Sequence, residues 1–242
     1  MSGKRPAHER FPEVIAAAVR VFTREGYRSA RMSDVAREAG LSEAALYRYV
    51  ESKEGLFVLA IRHALLLEDM PAEVIGEHFP LKPPSLAEMI GVAREFVAAE
   101  VPFGSLAAAL GHAGAGDPAV ELETVMRELF TLETQTREAA DMIERSAREL
   151  PELADLLNMG LRAPVLAALT EYLDSRASTG ALRATPDTAA TARLVLETLT
   201  WFARHRHADP YGAAIPDSLA AETVVDALIH ALVPSHFLKG RP

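Results

Sequence analysis

Met32-Ser33-Asp34-Val35-Ala36-Arg37-Glu38-Ala39-Gly40-Leu41-Ser42-Glu43-Ala44-Ala45-Leu46-Tyr47-Arg48-Tyr49, residues 32–49, decides how the chain is read. Ser33 offers an N-cap to a short helix that carries Val35, Ala36 and Ala39 and stops at Gly40. Leu41 is the apolar plug of a tight connection, and Ser42 caps a third short helix through Leu46 and Tyr49. Two short helices joined by Gly40-Leu41-Ser42 describe a helix-turn-helix. Ahead of it, Ile15, Ala18, Val19 and Phe22 fall at i, i+3, i+4 and i+7, an apolar stripe that ends at Gly26.

Helical spacing continues to the end of the chain, and no run of alternating β-branched residues interrupts it. A connecting helix begins beyond Ser52 and carries Leu56, Leu59, Ala60, His63 and Leu67 along one side until Pro71. Pro80, Pro83 and Pro84 break the pattern. Helices are then expected over roughly 85–101, up to His112, over 119–148, and from Pro151 to Ser175. Thr185-Pro186-Asp187 and Pro216-Asp217-Ser218 open the last two, which run to His207 and Leu232. The expected fold class is all-α: a three-helix helix-turn-helix domain at 1–55, joined to a larger helical domain at 56–242.

The 242 residues carry a net charge of −9, unevenly distributed. Residues 1–55 hold 10 Lys and Arg against 8 Asp and Glu, and the remainder 15 against 26. This asymmetry suits a DNA-contacting module on an acidic body. The absence of cysteine excludes disulfides, thiolate metal sites and cysteine nucleophiles. The basic N-terminus has no apolar run behind it. No sequence window reaches the roughly 18 apolar residues of a membrane span, so a cytoplasmic protein with no membrane partner is expected.

Gly26-Tyr27, the stretch 32–42, Leu46-Tyr47-Arg48-Tyr49 and Ser52-Lys53-Glu54-Gly55-Leu56 together resemble the N-terminal domain of the TetR (tetracycline-repressor-like) family. The final pair of helices, with Leu199-Thr200-Trp201-Phe202-Ala203-Arg204-His205-Arg206-His207, looks like that family's C-terminal domain, and the middle matches only in being helical. Val50 stands where the family usually shows phenylalanine. The resemblance implies a repressor of transcription, bound to double-stranded DNA as a homodimer and released by a small, largely apolar effector, with no cofactor.

The resemblance makes Ser33, Ser42, Tyr47, Tyr49 and Lys53 phosphate contacts and turns Glu43, Ala44 and Ala45 toward base edges. Arg31 and Arg48 join the interface, while Arg28 and the arm residues Lys4, Arg5 and Arg10 are either phosphate contacts or surface charges. Small or polar residues on the first turns of a recognition helix let its backbone approach the bases. Glu43 suits a cytosine N4 donor, or simply matches the positive end of the helix.

The resemblance implies that 1–55 binds DNA and that 56–242 is a ligand-binding and dimerisation domain, with Ala192, Leu196, Leu199 and Ala203, and Val224, Ala227, Leu228 and Ala231, in a four-helix interface between protomers. A two-fold dimer presents recognition helices ~34–36 Å apart, or a multiple of that, to a pseudo-palindromic site. Met89, Phe96, Phe103, Met126, Phe130, Met142, Met159 and Trp201 are candidate lining for an adaptable apolar pocket, or ordinary core.

Catalysis is the weaker alternative. The glycines at 111, 114 and 116 follow no strand, so they do not cradle phosphate. His205 and His207 diverge on a helix. His112, Asp117 and Glu121 have no spacing that demands a site, and Glu121, Glu123, Glu128, Glu133 and Glu138 are expected on a solvated helix face. A helical protein-binding adaptor is the other alternative.

Overall fold

The computed structural model describes residues 7–66, 80–91, 104–112 and 116–239. Its named elements are helical, and the only β-bridge among the described residues is an isolated one between Val50 and Leu81. The chain divides into two compact units: residues 1–96 with 138–160, and 97–137 with 161–242.

The first unit is built on α1 (Ala7–Glu25) and α4 (Lys53–Leu66). Phe11, Val14, Ile15, Ala18 and Phe22 form the buried stripe of α1. The helix stops at Gly26, whose φ of +79° is a left-handed conformation that a side chain would resist. α2 (Met32–Glu38) closes with Gly40 at φ +63°, and the Leu41 amide donates to Ala36 O at 2.8 Å, the six-residue closure of a Schellman turn. α3 (Glu43–Leu46) is one turn, capped by Ser42, whose Oγ accepts from Ala45 N at 3.2 Å.

α4 departs from expectation. Side chains from Leu56 through Ile61 are all buried, so the helix lies inside the core rather than presenting one apolar side. Packed against α1, it belongs to the helix-turn-helix unit, which is therefore larger than 1–55. The helical residues 86–91 (α5), α8 (Arg137–Ala147) and α9 (Pro151–Asp155) complete this unit through Met89, Ile90, Met142, Ile143 and Leu153.

The second unit packs α6 (Gly104–Gly111), α7 (Pro118–Gln135), α10 (Ala163–Ser178), α11 (Thr188–Ala203) and α12 (Asp217–Leu232) around Leu122, Met126, Leu169, Tyr172, Val195, Leu199, Val225 and Ile229. The pattern expected as one helix over 119–148 breaks at Thr136 into α7 and α8. The helix from Pro151 continues through a π-helical turn at Leu156–Arg162 into α10, past the expected end. The resulting stretch Pro151–Ser178 is the one described helix long and apolar enough to cross a membrane, a feature not apparent in the sequence. Its Val165, Leu169, Tyr172 and Leu173 are nonetheless buried in the second unit's core.

α11 is capped by Asp187 rather than Thr185, with Ala190 N donating to Asp187 Oδ1 at 2.7 Å. It ends at Ala203, short of His207, and a 3₁₀ turn at His205–Ala208 follows.

Charged groups expected on a solvated face are in fact structural. The buried Arg176 guanidinium binds Glu121 at 2.7 Å and donates to His112 O at 3.1 Å. This pairing raises the Arg176 pKa, because the adjacent carboxylate stabilises its charge. The Glu128 carboxylate accepts from Gly104 N and Ser105 N at 3.0 and 2.9 Å and so closes the start of α6. Glu133 pairs with Arg204 at 3.4 Å.

Phe57 sits edge-on to Phe22 at 4.9 Å and 4.8 Å from Tyr27, inside the core that holds the helix-turn-helix. Phe57→Ala is expected to cost about 3–5 kcal/mol, read as a lower urea midpoint for the loss of helical circular dichroism.

Candidate nucleic-acid interface

A four-residue helix has no stability of its own, so the pose of α3 is set by what surrounds it. Leu46 is fully buried and anchors one side. The opposite side offers Ser42, Glu43, Ala44, Tyr47 and Arg48 to solvent, with Ala45 half-buried, and Arg31 and Ser33 of the preceding helix are exposed as well. Only Glu43 in this set carries a negative charge. Small side chains at 44 and 45 leave the backbone accessible, the arrangement that a major groove admits.

The expected contact residues separate on inspection. Tyr47 is 43% exposed, whereas Tyr49 is 6% exposed, with its ring stacked on Phe11 at 6.3 Å. The two tyrosines lie on opposite sides of the turn after α3. Tyr49 therefore serves the core, and Tyr47 is the one open to solvent. Ser33 is not the cap of α2: that position falls to Arg31, whose amide donates to Asp34 Oδ2 at 3.2 Å.

Lys53 has internal partners. Its Nζ donates to Arg28 O at 3.0 Å and stands 4.8 Å over the Tyr27 ring. Burial pulls its pKa below the usual lysine value, and the Glu149 carboxylate works in the opposite direction. Glu149 also accepts from Arg28 N at 2.9 Å, and Ser146 Oγ from Tyr27 N at 3.2 Å. The end of α8 and the residues after it thus clamp the connection between α1 and α2. No sequence signal indicated this, since the partners lie about 120 residues apart. Arg10 is likewise engaged, donating to Ala39 O at 3.2 Å. Lys4 and Arg5 lie outside the described residues.

The candidate pocket residues are divided between the two units. Met89 and Met142 belong to the core of the first unit, Met126 and Phe130 to that of the second. Met159 is 68% exposed, Trp201 is 39% exposed, and Phe96 and Phe103 fall outside the described residues.

The expected dimer stripe is also redistributed. Ala192, Leu196, Leu199, Ala203, Val224 and Leu228 are buried within their own unit, because α7 packs on both α11 and α12 and consumes that face. The outward faces carry Leu194, 61% exposed, Trp201, Leu219, Ala227 and Ala231. Among the described residues no group of three or more His, Asp and Glu is arranged to hold a metal ion.

The fold and this exposed turn define a helix-turn-helix protein. Residues 14–60 match the model for bacterial regulatory proteins of the tetR family. Over that stretch the chain is similar to this family of regulatory proteins. It is 33% identical over 96 residues to the fatty acid metabolism regulator protein of Bacillus subtilis, a match covering 34% of this chain and 48% of that protein. The chain matches between 30% and 48% of the length of its curated relatives. Two solved structures extend the likeness in fold. The ketosteroid regulator KstR2 of Mycobacterium tuberculosis superposes with a TM-score of 0.57 at 14% identity, over 95% of this chain and 97% of that one. AibR, solved with isovaleryl coenzyme A and operator DNA, gives 0.52 at 16% identity over 93% and 98%.

The exposure difference has a direct consequence for stability. Tyr49→Ala removes a buried stacked ring and is expected to cost about 3 kcal/mol, whereas Tyr47→Ala should change unfolding by no more than about 0.5 kcal/mol, both by urea titration.

Proposed function

We propose that this chain is a dimeric, ligand-responsive regulator of transcription that binds a pseudo-palindromic DNA site and is released from it by a small, largely apolar molecule. The observation that carries the reading is the exposed set Ser42, Glu43, Ala44, Tyr47 and Arg48 on a one-turn helix whose other side is sealed by Leu46. In this role Ser42, Tyr47 and Arg48, with Arg31 and Ser33, bind phosphates and fix register, while Glu43, Ala44 and Ala45 face bases. Lys53 contributes by holding the α1–α2 connection.

Two protomers pair through the outward faces of α11 and α12, where Leu194 and Trp201 lie seven residues apart on one face, and Leu219 and Ala227 eight apart on another. The effector binds in the second unit. AibR was solved with isovaleryl coenzyme A, so molecules that carry a short apolar acyl chain are the first class to try, and a cytoplasmic location belongs to the same reading.

Selection from random duplexes is expected to enrich a pseudo-palindrome for the wild type and nothing for Tyr47→Ala/Arg48→Ala. The double variant should lower the slope of log affinity against log salt by about one for each phosphate it leaves without a partner. A wild type that enriches no sequence at low salt turns the reading to the protein-binding adaptor. Leu194→Asp/Trp201→Asp is expected to convert the dimer to a monomer in sedimentation velocity and to weaken DNA binding with it; an unchanged sedimentation coefficient places the interface elsewhere.

A further inference from the structure

Residues 80–86 run beside the turn that joins α3 to α4 and are fastened to it at three levels. Leu81 N donates to Tyr49 O at 2.8 Å, and the same contact forms the parallel bridge between Val50 and Leu81. Tyr49 lies just beyond the C-terminus of the recognition helix, where carbonyls have no partner within the helix. At the second level, Pro83 is seated on Gly55: a Cβ added to Gly55 would stand 2.6 Å from Pro83 Cγ and 3.1 Å from Cδ, closer than packed atoms tolerate. At the third, Leu86 N donates to Glu54 Oε1 at 3.0 Å.

Burial and local capping reinforce these attachments. Leu81 packs on the core of the first unit, and Val50 beside it is fully buried. Ser85 Oγ and Ser85 N donate to Glu88 at 2.7 and 2.9 Å, which starts α5 as soon as the last attachment is made. The pairing of Lys82 with Glu51 at 3.5 Å is exposed and contributes little.

We infer that residues 81–86 form a strap that sets the pose of the recognition helix, with Gly55 and Glu54 as its positioning residues. The inference rests on the DNA-binding reading above and adds to it an element distant in sequence from the helix-turn-helix. Because α3 spans four residues, a shift of Tyr49 and Val50 moves the Glu43–Tyr47 face as a unit. Discrimination between bases depends on that placement, whereas attraction to phosphate depends much less on it.

The test uses Gly55→Ala, which forces a methyl group into Pro83, and Gly55→Ala/Pro83→Ala, which removes the obstructing ring atoms. Glu54→Ala removes the Leu86 acceptor without adding bulk and serves if Gly55→Ala does not fold. Amide exchange of Leu81 and Leu86 reports the strap directly, without DNA. Protection is expected in the wild type, loss in Gly55→Ala, and recovery in the double variant. On the duplex selected by the wild type, Gly55→Ala should lose about tenfold in affinity while binding to random duplex stays within about twofold, and the double variant should regain the difference. An unprotected Leu81 amide in the wild type overturns the strap. A Gly55→Ala protein that loses protection yet keeps wild-type selectivity overturns its positioning role. If the wild type selects no sequence the regulator reading fails, and the exchange result alone still decides whether the strap exists.

Discussion

The edge-to-face packing of Phe22 on Phe57, with Tyr27 closing over both, is the constraint on which the helix-turn-helix unit depends. It fixes α1 against α4 and brings the first residues after α1 into the same core. Everything attached to those residues inherits that position: the Lys53 ammonium over Tyr27, the Ser146 and Glu149 acceptors on the Tyr27 and Arg28 amides, and through them the entry to α2. Short helices cannot hold themselves, so a helix-turn-helix takes its geometry from the longer helices that enclose it. Here that enclosure includes α8 and α9 as well as α1 and α4.

A different device stabilises the second unit. Its helices pack through ordinary aliphatic side chains, but two of their connections are tied by buried arginines. Arg206, fully buried, donates to Phe202 O, Gly212 O and Ile215 O and pairs with Asp217, so one guanidinium organises the whole α11–α12 connection. Burial, with Arg137 nearby, lowers its pKa. Gly212 is required in that connection because a Cβ would stand 2.8 Å from Arg206 O. Arg176 does similar work for α6 and α7. A charge taken out of water is tolerated only when its hydrogen bonds are nearly all made, and both guanidinium groups meet that condition with backbone carbonyls.

Division of labour on the exposed faces follows from these two cores. Side chains consumed by the interior cannot also meet a partner, which is why the stripe Ala192, Leu196, Leu199 and Ala203 gives way to Leu194 and Trp201 as the surface of α11, and why Tyr47 rather than Tyr49 faces outward. On α3 the only side chain committed to the core is Leu46, and the remainder of that turn is left open to solvent or half-buried.

Local chemistry was legible in the sequence. Gly26, Gly40, the Ser42 cap and Pro151 at a helix start are one-residue signals whose physics needs no distant partner, and the apolar spacing of α1 carried the fold class. The helix-turn-helix followed from that, but not which of its residues are exposed, since Tyr49 is buried and Lys53 is bound internally. Tertiary structure decided which of two apolar faces is buried, because periodicity marks a stripe without naming what covers it. It also decided that α4 is buried on every side from Leu56 to Ile61, that Lys53 is internally bound, and that glutamates on α7 neutralise buried arginines. The strap at 81–86 and the α8 clamp belong to the same class: each is made of pairs far apart in the chain, and a pattern read along one chain contains no term for what folding brings opposite.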